Sequence, residues 1–527
     1  MDRYGAKKSS KVWIWIIAII LVVMCCCLLV IGGGFVYFRS QNTSFSNGSE
    51  ILPNVTDVIV NTITPEDTVL PTPEDTVLPT SEIELNDSQP VPSEQLLIST
   101  RSGIWAINEA TREAVQLSYD PLDDSWEINN GLSPDKKFFA YFTGFSGASI
   151  NPRLVVLDVE NQISTLQLEL TGPIIQPGLE STHGDPAFEA FGAMQFTDSL
   201  AWSPDGTRLA FIAARDGDSA DIYLFNRTDN SVTRLTDEAG HASALHWSPD
   251  GQLLQYVSVN TFGTGAGFNM EGLWAYDFNS QKAQLLESLD SNGEEFLAWM
   301  DNSSFLINSF SRTCGGIYNL RIVDATSIDQ QVIVDSGFTA VAYDPENKFG
   351  MFSIAYNYDN CGSGEPLGVG LMIFGESVPV LGDDGPIIGE IGRKKFEEVI
   401  AYGIGFIPQG NLFTVYGDDG LQNIYYDNGY SLNILPEIKG LKPYPAPSGD
   451  YWAWASYYSG KTGLWITENN DNPIQLSLLF TGTPVWSQDG KTIYFIENNQ
   501  LFLANAPQFD TELLLELPGV ELLALVK

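Results

Sequence analysis

The residues best suited to chemistry in this chain are few and scattered. Three histidines occur, His183, His241 and His246, with none of the spacing that gathers imidazoles around a metal. There is no Gly-x-Ser-x-Gly turn, so a serine hydrolase reading lacks its nucleophile. Asp216-Gly217-Asp218-Ser219-Ala220-Asp221 alternates carboxylates as a calcium loop does, but lacks the later bidentate acid. The same residues suit a turn between two strands. Asp383-Asp384-Gly385 and Asp418-Asp419-Gly420 also read as turns, because Asp-Gly punctuates chains. No catalytic, cofactor or metal residue is assigned, and the sequence predicts a protein that is not an enzyme.

Charge narrows the partners. The 527 residues hold 26 Lys and Arg against 66 Asp and Glu, a formal net charge of −40. Nucleic-acid binding needs a basic footprint that displaces phosphate counterions, so it is excluded. Anionic lipid is disfavoured for the same reason. The acid excess reads as a well-solvated surface, with a basic or cationic partner as the sharper alternative.

Residues 12–38 carry no charge, and 13–30 are almost wholly apolar, long enough to cross a bilayer as a helix. Arg3, Lys7, Lys8 and Lys11 precede the run and only Arg39 follows closely, which puts residues 1–11 in the cytoplasm and the rest outside. Cys25, Cys26 and Cys27 read as small hydrophobes within that helix. Residues 39–94 are rich in Pro, Thr, Ser and acids, and Pro-Glu-Asp-Thr-Val-Leu-Pro-Thr at 65–72 repeats unchanged at 73–80. Such a stretch buries too little apolar surface to fold and serves as a disordered stalk, with a reach of about 50 to 150 Å. Asn42, Asn47 and Asn54 match Asn-x-Ser/Thr, and whether they carry glycans depends on the host.

Behind the stalk, one pattern recurs. Leu200-Ala201-Trp202-Ser203-Pro204-Asp205-Gly206-Thr207-Arg208-Leu209 places a Ser-Pro-Asp-Gly turn between two apolar runs, which predicts a β-hairpin. His246-Trp247-Ser248-Pro249-Asp250-Gly251 and Val485-Trp486-Ser487-Gln488-Asp489-Gly490 repeat it, with looser copies at 132–135, 342–346 and 446–450. Trp202 and Trp247 stand 45 positions apart, a period typical of propellers or solenoids. Units begin near Leu132, Leu200, Leu245, Phe296, Phe338, Val399, Pro443 and Gly482, each with up to four short runs, here a to d. In the second unit the runs are 200–202, 208–213, 221–225 and 232–235. Three runs at 96–99, 103–107 and 114–117 lack a strand a, while 520–526 is a spare apolar strand. Pairing the two ends would complete one sheet and close a ring.

The motif from Trp202 to Phe211, with Arg215-Asp216-Gly217-Asp218 and Asp221-Ile222-Tyr223-Leu224, resembles the TolB-type, WD40-like propeller repeat over residues 95–527. The resemblance implies an all-β propeller of about eight four-stranded blades, within seven to nine, used outside the cytoplasm for protein contacts. It departs from TolB in having an anchor and stalk where that family carries a separate α/β domain. Ser487 to Thr492 is one residue short of a sialidase Asp-box and reads as another a–b turn.

In such a blade the a–b and c–d connections share one face, the turn face, and the b–c and d–a connections share the other. The long segments fall on the second, loop face: 171–197 with His183, Phe188, Phe191 and Phe196, then 261–272, 311–316, 356–368 and 457–463. Any partner is expected there. Cys314 and Cys361 lie in b–c loops of neighbouring units, and the oxidising side of the membrane permits a Cys314–Cys361 disulfide. Tyr356, Tyr358, Tyr457 and Tyr458 border these loops and can stack on sugars or anchor a protein. Trp452, Trp454 and Trp465 sit on strand patterns and are expected to pack blades. The function read from this is non-catalytic protein or peptide binding, or scaffolding, by a single-pass membrane protein. Alternatives are a glycan- or cell-wall-binding module, and a hydrolase or lyase with carboxylates converging in the central channel.

Overall fold

A computed structural model describes residues 95–526 apart from 110, 124–130, 146–149, 176–185, 197, 239, 264–266, 290–292, 311–316, 335–337, 345–348, 357–364, 374–380, 383–384, 387–402, 408–411, 418–419, 427–431, 435–441, 457–462, 469–473 and 517–518. The chain divides between Asn86 and Asp87, and every described residue belongs to the second unit. Segments 12–38 and 39–94 lie outside the described residues. Among the described residues no helix is long and apolar enough to cross a membrane.

The described residues are nearly all β. The first sheet holds β1 (Gln95–Thr100), β2 (Gly103–Asn108) and β3 (Ala114–Ser118); the second holds β4 (Phe138–Thr143), β5 (Arg153–Asp158) and β6 (Ile163–Glu169). Helix α1 (Pro186–Met194) precedes β7 (Leu200–Trp202), β8 (Arg208–Ala213), β9 (Asp221–Asn226) and β10 (Ser231–Arg234). Next come β11 (His241–Trp247), β12 (Leu253–Gly263), β13 (Gly267–Asp277) and β14 (Lys282–Ser288), then β15 (Gly293–Trp299), β16 (Ser304–Phe310), β17 (Ile317–Asp324) and β18 (Gln330–Val334). β19 (Phe338–Asp344), β20 (Phe349–Tyr356) and β21 (Glu365–Ile373) form a three-stranded sheet, followed by the small ladder of β22 (Leu381–Gly382) and β23 (Gly385–Pro386). The last sheets are β24 (Gly403–Ile407) to β27 (Leu432–Ile434), β28 (Lys442–Pro445) to β31 (Ile474–Ser477), and β32 (Phe480–Trp486) to β35 (Asp510–Glu516). The final strand, β36 (Glu521–Val526), leaves this order and pairs with β1.

Among the described residues this makes nine antiparallel sheets of three or four strands. The expected pairing of the chain ends is present, in the order β3-β2-β1-β36. First strands of successive sheets contact one another, as β7 with β11, β15 with β19, β19 with β24 and β32 with β36, so they lie innermost. Burial follows from that arrangement. The second strand β8, Arg-Leu-Ala-Phe-Ile-Ala, is buried on both faces because a sheet flanks it on each side. Outer strands such as β14 and β35 are mostly exposed and polar.

The Ser-Pro-Asp-Gly turns are built alike. Gly206 N–H donates to the Ser203 carbonyl at 2.8 Å, with Gly206 at φ +68°. Ser203 Oγ donates to Asp205 Oδ1 at 2.6 Å and accepts from Arg208 N–H at 3.0 Å. Ser248 and Ser487 repeat these bonds. In the first copy Lys136 occupies the glycine position, at φ +57°.

The tryptophan before each turn reaches the preceding sheet. Trp202 Nε1 donates to the Gly131 carbonyl, Trp247 to Ala201, Trp299 to His246 and Trp486 to Tyr444, at 2.9 to 3.3 Å. Arg208 adds a second link, its guanidinium lying 4.7 Å from the Trp247 ring centre and 4.6 Å from that of Phe278, while donating to the Gly251 carbonyl at 2.7 Å. Each unit thus covers its apolar flank with the next.

Two expectations are corrected. The segment 261–272 is not an open loop: β12 and β13 each run for 11 residues, paired as far as Gly263 and Gly267. The segment 171–197 contains a helix, α1. Gly382 pairs with Gly385 and Gly417 with Gly420, while Asp383, Asp384, Asp418 and Asp419 lie outside the described residues.

Candidate functional site

Helix α1 lies over the loop-face ends of β8, β11 and β12. Pro186 at its first position and Glu189 in its first turn are the sequence signals of its start. Ala190, Ala193 and Met194 are wholly buried in the main core. Phe188 and Phe191 are half-buried, and Phe191 meets Phe145 edge-on at 6.0 Å. Tyr356 ends β20 opposite Glu365, without a described side chain. His183, Tyr358, Tyr457, Tyr458, Cys314 and Cys361 lie outside the described residues.

Under α1 sits a buried polar network that the sequence did not reveal. His241 Nδ1 accepts from the Ala220 N–H at 3.0 Å, and its Nε2 lies 3.7 Å from Glu189 Oε2 on the helix. The Ala220 carbonyl in turn accepts from Ala242 N–H at 2.8 Å. Burial pushes the His241 pKa down, against the pull of Glu189, Asp221 and Asp218. The imidazole is therefore held neutral, with its proton on Nε2.

Asp221, the last acid of the calcium-like stretch, is occupied internally. It accepts from Ser219 Oγ at 2.8 Å, Arg234 Nη2 at 2.7 Å and Thr236 Oγ1 at 3.2 Å. Burial raises its pKa, and the bonds from Ser219 and Arg234 offset this in part. Asp216 accepts from the Tyr223 hydroxyl at 2.9 Å. These residues do the work of a hairpin, and among the described residues no cluster of His, Cys, Asp and Glu could hold a metal.

The sheet of β15 to β18 has its own ionic centre. Arg321, almost wholly buried, donates to Glu287 Oε2 at 2.7 Å on the preceding sheet and to Glu294 Oε2 at 3.0 Å on its own. Ser309 Oγ also donates to Glu294, at 2.9 Å. Burial raises the Glu294 pKa, opposed by Arg321. On the inner ring, His246 stacks on Phe296 at 4.0 Å and its Nε2 stands 3.9 Å from Asp198 Oδ2. Burial pushes its pKa down to about 3, so that pair is not ionic near neutrality.

The loop face differs from the turn face in exposed apolar surface. Tyr119, Ile174, Leu478 and Leu479, at 83, 67, 62 and 57% exposure, all stand in d–a connections on the loop face. Among the described residues the turn face shows one such side chain, Ile328, and the others lie on outer strands.

Ring-ordered antiparallel sheets, the shared turn motif and the joined ends make this a β-propeller. No family model matches the chain. Over 59 residues, 11% of its length, it is 45% identical to the uncharacterized peptidase YuxL of Bacillus subtilis (strain 168), of which it spans only 9%. Among solved structures it is similar to a eukaryotic initiation factor, at 12% identity and TM-score 0.48, over 82% of this chain and 98% of that one. It is also similar to dipeptidyl peptidase 4 of Porphyromonas gingivalis (11%, TM-score 0.40, over 76% and 62%) and to TolB of Acinetobacter baumannii (14%, TM-score 0.26, over 74% and 82%). The sheet order, not these likenesses, defines the fold.

Proposed function

We propose that this chain is a single-pass membrane protein that displays a nine-bladed propeller outside the cell and binds a protein or peptide, without catalysis, through the loop face. The observation that carries the reading is the placement of Tyr119, Ile174, Leu478 and Leu479. Large exposed side chains gathered on one face of a rigid scaffold are the kind of surface that protein partners cover. The buried ionisable groups described above are engaged with one another, which supports a structural role for them. The uncharged run 12–38 and the basic residues before it support the anchor and its orientation.

Crosslinking in intact cells tests this, comparing the full chain with a variant carrying Tyr119→Ser, Ile174→Ser, Leu478→Ser and Leu479→Ser. These side chains are exposed, so the fold should survive, which circular dichroism checks. Capture of one partner by the parent and its loss in the variant supports the reading. Equal capture by both forms places the partner elsewhere, and capture by neither sinks the binding reading.

A further inference from the structure

We propose that His241 is a pH-sensitive latch that releases the 214–220 turn on the loop face under mildly acidic conditions. The turn ends at Ala220, which is tied to β11 at both backbone atoms: its N–H donates to His241 Nδ1 and its carbonyl accepts from Ala242. The first of these bonds exists only while Nδ1 carries no proton. An imidazolium has a donor at both nitrogens, so protonation sets the Nδ1 proton against the Ala220 proton inside a buried site.

The groups facing His241 decide which contact gives way. Glu189 approaches from α1, Asp221 from β9 and Asp218 from the turn, while Val259 of β12, apolar, stands opposite in the ladder. All three acids attract an imidazolium, and Glu189 faces Nε2, which is a donor in both states. The helix therefore keeps its contact, and the turn loses its own. The turn also carries Asp216 and Asp218, both exposed, so its release changes the acidic part of the loop face.

The sign follows from linkage. The folded pKa of His241 is lowered from the usual 6.5, so the closed state is fully favoured above that value and loses ground as pH falls below it. If opening restores an ordinary imidazole, the opening constant of the turn rises by up to about tenfold between pH 7.5 and 5.5.

Hydrogen exchange of the full chain, corrected for intrinsic rates, reads this at the Ala220 amide. Protection there should fall toward tenfold over that interval, with α1 unchanged. In His241→Asn, whose side-chain oxygen can still accept from Ala220 and does not titrate, the pH dependence should vanish. Unchanged protection in the parent, or an equal loss in the variant, overturns the proposal. Should the variant not fold, ¹⁵N NMR of the parent decides instead. His241 must show a proton-free Nδ1 at pH 7.5, and a protonated Nδ1 there overturns the latch.

Discussion

The indole nitrogen of Trp247 donates a 2.9 Å hydrogen bond to the carbonyl of Ala201, across the boundary between two sheets. The same bond recurs at Trp202, Trp299 and Trp486, so in these four repeats the motif residue that looks like core filler also joins its repeat to the preceding one. Trp247→Phe keeps most of the ring and removes the donor, and should cost about 1–3 kcal/mol. Denaturant unfolding beside Trp465→Phe checks it. Equal losses in both would assign the effect to ring volume.

Lys136 holds a left-handed conformation in the turn position that glycine fills at Gly206, Gly251 and Gly490. Its N–H still donates to the Ser133 carbonyl at 2.8 Å, so the turn is intact and the strain is local. Lys136→Gly should therefore stabilise the protein by about 0.5–1 kcal/mol, a rare gain from adding a glycine. A lower urea midpoint in the variant would refute this.

Arg321 neutralises Glu294 in the interior and bonds Glu287 on the neighbouring sheet. Arg321→Met strands the Glu294 charge and should cost about 3–5 kcal/mol at pH 8. The Glu294 pKa is already raised by burial, and without Arg321 it rises further, so the carboxyl takes up a proton more readily. The loss should shrink as pH falls toward 5, measured by unfolding at both values. A penalty independent of pH would mean that packing dominates.

Ser487 and the Lys491 amide hold the Asp489 carboxyl below the usual carboxylate range. A depressed folded pKa gives stability that is complete above the unfolded value near 3.8 and disappears as pH falls through the folded one. Ser487→Ala should lower stability at pH 7 and flatten its dependence below pH 4. Acid titration followed by tryptophan fluorescence tests both parts, and an unaltered acid limb would count against the turn as its source.

Much of this architecture was legible because its determinants are local. Ser203, Pro204, Asp205 and Gly206 contact one another, and their spacing predicts the hairpin that forms. The spare strand at 520–526 and the incomplete trio at the start predict the β1–β36 pairing, because an apolar strand needs a partner. Helix α1 was hidden because nine residues rich in Ala and Phe show little helical contrast, and its seat on β8, β11 and β12 comes from distant sequence. The long arm of β12 and β13 was hidden because Asn260, Thr261 and the glycines at 263 and 267 read as loop composition. The role of His241 is not legible from its own neighbourhood in the sequence. Its partners, Glu189 and Ala220, lie 52 and 21 positions away, and only the assembled sheets bring them together.

β1 lies between β2 and β36, with Gln95 at the end where the chain arrives from the preceding residues. A pull along the axis of β1 would act at right angles to the ladder bonds on both its flanks. Bonds loaded in this way share the force and yield together, whereas a strand peeled from a sheet edge surrenders them one at a time. β1 is also the strand that, with β36, shuts the ring. Mechanical failure there and loss of closure are one event.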